Sequence, residues 1–160
     1  MKIANEILVP ELARLLAEEK EVRFTPSGNS MRPFIEGNRD SVILTPLTRS
    51  PRRGDILLVR AAQPGGQATY VLHRLVRIER DEQGELLVLQ GDGNLQGEEI
   101  CRKEDVIGRV RRIENPKGRA KLLTRGWLWH ALLPFRGFLL KVYRHTVVPL
   151  YRNTEKQELV

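Results

Sequence analysis

The chain of 160 residues holds one cysteine, nine aromatic side chains, and no apolar run approaching the ~20 residues that span a bilayer. A lone Cys101 excludes an internal disulfide and fits a reducing compartment. Beside Arg102 and Lys103 such a thiol can be reactive, although the sequence places no histidine next to it. The N-terminal stretch MKIANEILVPELARLLAEEK carries glutamates throughout and lacks an uncharged apolar core, so no secretory signal peptide is expected. No grouping of His, Cys and acids has metal-ligand spacing, and there is no phosphate-binding glycine loop. The expectation is a protein without cofactor or metal, cytoplasmic, with at most a surface attachment to membrane.

Acidic residues are also missing from one long stretch. Residues 116 to 152 contain eight Lys/Arg and no Asp or Glu, so the net charge of +7 leaves 7 − 8 = −1 for the rest. Six of the nine aromatics fall there too: Trp127, Trp129, Phe135, Phe138, Tyr143 and Tyr151. Asn115, Pro116 and Gly118 mark the change in texture. The chain therefore divides into an N-terminal helix over 1–20, a β-rich domain over 21–115, and a basic C-terminal extension over 116–160.

Ile7, Leu8, Leu12, Leu15 and Leu16 recur at helical spacing behind a capping Asn5. Pro10 suits this helix only in its first turn, which predicts a start near residue 9. After it come EVRFT, SVILT, DILLVRA, TYVLHRLVRIE, ELLVLQ and DVIGRVRRI, separated by the turn clusters GNRD, RRGD, QPGGQ, DEQG and GDGN. Short strands in series without intervening helices predict a mainly β fold, antiparallel and partly closed. The tail reads as one or two short helices broken near Pro134 and Gly137.

Three polar spots in the β region bear on chemistry. Ser30 sits in TPSGNSMRPF, where Gly28 and Pro33 shape a turn that either merely turns or holds a hydroxyl outward. His73 lies in the longest strand pattern, on the inward face with Val71 and Leu75, and is either a satisfied core histidine or a general base. Asp92, in QGDGN, is either tight-turn chemistry or the acid that orients an imidazole. Serine is a weak nucleophile without a base in hydrogen-bond reach, so the three gain meaning together.

In the order GNSMRP, RRGDILLVR, YVLHRLVRI, LQGDGN and EDVIGRV, the sequence resembles the serine peptidase clan of type I signal peptidases and self-cleaving SOS-repressor peptidases. The likeness covers roughly residues 22 to 113. It implies that Ser30, followed by Met31, is the nucleophile, and that Asp92 is the assisting acid. His73 stands where bacterial-type members carry a lysine, which is the pattern of the archaeal and endoplasmic-reticulum type. Gly28 stands where signal peptidases place a helper serine. Oxyanion stabilisation would then fall to backbone N–H groups, that of Ser30 first, aided by Asn29. The membrane anchor of signal peptidases is not seen in the 29 residues ahead of Ser30.

The expected function is thus a serine endopeptidase acting on a peptide or precursor protein. A non-catalytic peptide-binding module on the same fold is the alternative. The basic tail adds two further partners, an anionic membrane surface through residues 126–151 or nucleic acid, against plain packing of its aromatics. Oligomeric state is not legible.

Overall fold

The computed structural model describes residues 5–62, 68–94, 97–121 and 135–157. Within them, α1 (Asn5–Ala17) precedes eight strands: β1 (Val22–Phe24), β2 (Ser41–Thr45), β3 (Ile56–Ala62), β4 (Ala68–Asp81), β5 (Gly84–Gln90), β6 (Glu99–Cys101), β7 (Val106–Glu114) and β8 (Ala120–Lys121). A 3-10 turn (Lys103–Asp105) leads into β7, and α2 (Arg136–Gln157) follows β8. The fold is mainly β, as the strand texture predicts.

All pairings are antiparallel, in the order β1-β2-β7-β3-β4-β5-β6, with β8 added to β7. The sheet does not close: β1 and β6 remain edges among the described strands. It does curl, since β6 returns to contact β3 although β4 and β5 lie between them.

The curl creates two cores, one on each face of β3. Ile56 and Leu58 join Val9, Leu12 and Leu16 of α1 with Val42, Leu44 and Val110. Leu57 and Val59 face the other way, against Leu75, Leu87, Leu89 and Cys101. A strand buried on both faces loses the alternation of a half-exposed strand, which is why β3 reads as a continuous apolar run. Cys101 belongs to this second core. Burial, then the charges of Asp105 and Glu104, push its thiol up to about 12, so it is not a thiolate at neutral pH.

Two details differ from expectation. Pro10 lies inside α1, which starts at Asn5. Gly137 does not break the tail: it sits in the first turn of a single 22-residue helix, where backbone N–H groups lack intrahelical partners in any case. Pro134, Trp127, Trp129 and His130 lie outside the described residues. Among the described residues, no helix is long and apolar enough to cross a membrane.

Candidate active site

Ser30 opens a tight turn after the chain leaves β1. Arg32 N–H donates to Asn29 O, while Phe34 and Ile35 N–H both donate to Met31 O. Met31 is buried in the first core and fixes the turn from below, leaving the neighbouring Ser30 half-buried at its surface. The apolar residue after the serine is thus an anchor, and the hydroxyl direction follows from it.

The partner comes from β4. His73, paired in register with Leu57 of β3, is 5% exposed and shares its face with Val71 and Leu75. Its Nε2 lies 2.9 Å from Ser30 Oγ. Its Nδ1 lies 2.6 Å from Glu99 Oε2 on β6. An ionised carboxylate only accepts hydrogen bonds, so Nδ1 carries the proton and donates to Glu99. In the neutral ring Nε2 is then the acceptor, and Ser30 O–H donates to it. Serine, imidazole and carboxylate stand in the relay order that nucleophilic catalysis requires.

The carboxylate is not the expected one. Asp92 Oδ1 and Oδ2 accept from Arg74 Nε at 2.8 Å and Nη2 at 2.6 Å, and both side chains are about 1% exposed. Adjacent strand residues point to opposite faces, so Arg74 lies on the other side of β4 from His73, and Asp92 goes with it. Arg74 Nη1 also donates to Gly54 O, and its guanidinium lies 5.4 Å from the Phe34 ring centroid. A buried carboxylate needs such a partner, and removing one member of a buried pair typically costs about 3–5 kcal/mol. The sequence missed Glu99 because β6 has three residues and no readable alternation. The only local signal is the acid pair Glu98–Glu99 just after GDGNLQG.

The GDGN segment acts on the site through its backbone. Gly93 N–H donates to Ser30 O at 2.7 Å. A Cβ on Gly91 would lie 2.6 Å from Ser30 O and 3.1 Å from both His73 Nε2 and Ser30 Cβ. Only glycine lets this loop lie against Ser30, and the Arg74–Asp92 pair holds it there.

Beside Ser30 and His73 opens a cleft of about 190 Å³, lined by Phe24, Pro26, Gly28, Met31, Tyr70 and Leu72 among others. One wall is the strand end after β1, pinned by Asn38 N–H to Pro26 O at 2.7 Å. The other wall is the first half of β4. There β3 occupies one edge, whereas β5 joins only from Arg74 onward. The segment after β1 and the first half of β4, which no other described strand pairs on its second edge, therefore face one cleft. At its mouth Gly28 is exposed, and a Cβ built on it meets nothing within 4 Å. Asn29, also exposed, precedes Ser30, and no hydrogen bond from Ser30 N–H to another described residue occupies that donor.

No family model matches the chain, and no curated protein matches it.

Proposed function

We propose that the protein is a serine endopeptidase of the signal-peptidase-like type, acting on an extended peptide or precursor segment. The observation that carries this is the relay from Ser30 Oγ through His73 to Glu99, at 2.9 and 2.6 Å, beside a cleft lined by the segment after β1 and the first half of β4. Ser30 Oγ attacks the peptide carbonyl while His73 Nε2 takes its proton, then returns it to the leaving amine. Glu99 holds the Nδ1–H tautomer and stabilises the imidazolium formed in that step. Water, activated by the same Nε2, releases the acyl group. The Ser30 N–H, with Asn29 beside it, is the donor available to the developing oxyanion. A substrate strand fits between the wall after β1 and the half-open edge of β4, with main-chain hydrogen bonds holding it.

The test is active-site labelling by a fluorophosphonate together with cleavage of a peptide library. Labelling at Ser30, and loss of both activities in Ser30→Ala and His73→Ala proteins that keep their unfolding temperature, is the expected outcome. Cleavage unaffected by Ser30→Ala sinks it.

A second reading, a peptide-binding module without turnover, is favoured by one observation: Gly28 offers no hydroxyl at the cleft mouth. Purified protein that binds extended peptides and never accepts the probe is the result this reading expects.

A further inference from the structure

Four of the six large apolar side chains exposed among the described residues lie together at the start of α2. At 3.6 residues per turn, Leu140, Tyr143 and Val147 share one stripe of this helix. That stripe is seated on the body: Leu140 is 3% exposed, and Tyr143 O–H donates to Glu36 Oε2 at 3.1 Å. Phe138, Leu139 and Val142 lie on a different stripe, continued by Phe135 just ahead of the helix. Phe135 and Phe138 are 62% and 69% exposed, and Leu139 and Val142 are 37% and 42% exposed. Two phenyl rings and two aliphatic chains held in water on one helix face mark a docking surface.

We propose that this stripe docks α2 onto an anionic lipid surface, with the helix in the interface plane and its apolar side chains in the headgroup–acyl boundary. Charge selects this occupant. Lys141 and Arg144 are exposed on the same helix segment, and residues 116 to 152 contain eight cations and no acid. An apolar stripe flanked by cations is the pattern of helices that lie in anionic interfaces. A second copy of the chain would bring two such cationic surfaces together without a compensating acid. Nucleic acid would neutralise the cations but leave Leu139 and Val142 without an apolar counterpart. The inference goes beyond the peptidase reading and stands without it. If both hold, the surface sits close to the nucleophile turn, because Glu36, which receives Tyr143, also pairs with Arg32 two residues after Ser30.

The test is co-sedimentation of the full chain with phosphatidylcholine vesicles containing or lacking phosphatidylserine. The wild-type protein is expected to bind the phosphatidylserine vesicles, and to release them as salt is raised. Phe135→Ser/Phe138→Ser should weaken binding by about tenfold or more, since burying each ring is worth at least that factor. Lys141→Glu/Arg144→Glu should abolish the preference for phosphatidylserine. Wild-type protein that stays in the supernatant overturns the proposal, and so does equal sedimentation of the phenylalanine variant. Binding of a single-stranded oligonucleotide without vesicle binding overturns it in favour of nucleic acid. A dimer dispersed by Phe135→Ser/Phe138→Ser, again without vesicle binding, overturns it in favour of self-association.

Discussion

Replacing Glu99 by glutamine separates the carboxylate that touches the imidazole from the one in the expected motif. Glutamine keeps the shape of the side chain but can offer an N–H to Nδ1, turning the ring toward the tautomer whose Nε2 cannot accept from Ser30. In serine–histidine–aspartate enzymes the comparable change costs about 10⁴ in kcat with a buried acid. The Glu99 side chain is 20% exposed, so water can partly substitute for it. The expected loss in fluorophosphonate labelling rate is therefore about 10²–10³, or about 3–4 kcal/mol of transition-state stabilisation. Stability should change little, because glutamine keeps the side-chain shape and a hydrogen bond to Nδ1, and the net worth of one such bond is about 1 kcal/mol. Asp92→Asn should do the reverse. It leaves Arg74 buried against a neutral partner, a loss of about 3–5 kcal/mol, which lowers the unfolding temperature by roughly 6–20 °C in a chain of this size. Its labelling rate per folded molecule should fall less than that of Glu99→Gln. The assay pairs labelling kinetics with calorimetry on both variants. If Glu99→Gln labels at the wild-type rate while Asp92→Asn keeps its unfolding temperature and loses labelling, the assignment of the two acids is refuted.

Gly91→Ala should abolish labelling and destabilise the fold by about 1–3 kcal/mol, because its Cβ cannot coexist with Ser30 and His73 where they stand; wild-type kinetics would show that the loop yields freely. Gly28→Ser, by contrast, has open space around it and should raise the labelling rate, by up to about 10², if its hydroxyl reaches the oxyanion, with no change in unfolding temperature. Cys101 should resist maleimide at neutral pH in the native protein and react on unfolding, since burial holds its thiol up at about 12; fast native labelling would contradict the packing of the second core. Asp40 is fully buried; burial raises its carboxyl, but hydrogen bonds from Arg39, Lys121 and the Glu36 N–H outweigh this and hold it below the ordinary 3.8. A depressed carboxyl contributes stability that is present above that value and lost as pH falls through the folded one. Lys121→Met should therefore flatten the decline in unfolding temperature below about pH 4, and an unaltered slope would remove Asp40 from the acid response.

Sequence alone determined the elements whose signal is local. Strand texture between turn clusters marks β2, β3, β4, β5 and β7 within a residue or two. The serine–methionine pair is legible because one residue must anchor the turn while its neighbour stays at the surface. His73 is legible because alternation assigns its face without knowledge of the partner strand. Tertiary structure alone decided what meets that face. Several acids follow His73 between Glu79 and Glu99, and composition favours Asp92, which has the glycine-flanked turn. The curl of the sheet brings β6 back to β3 and sets Glu99 behind the imidazole, while Arg74, one residue from His73, takes Asp92 to the opposite face. Three-residue β6 and two-residue β8 have too few positions for any pattern, since short strands exist only through the neighbours they pair with. The glycines of GDGN are visible as turn residues, but their need for close approach to Ser30 follows from chain segments more than 60 positions apart, and no local reading reaches that far.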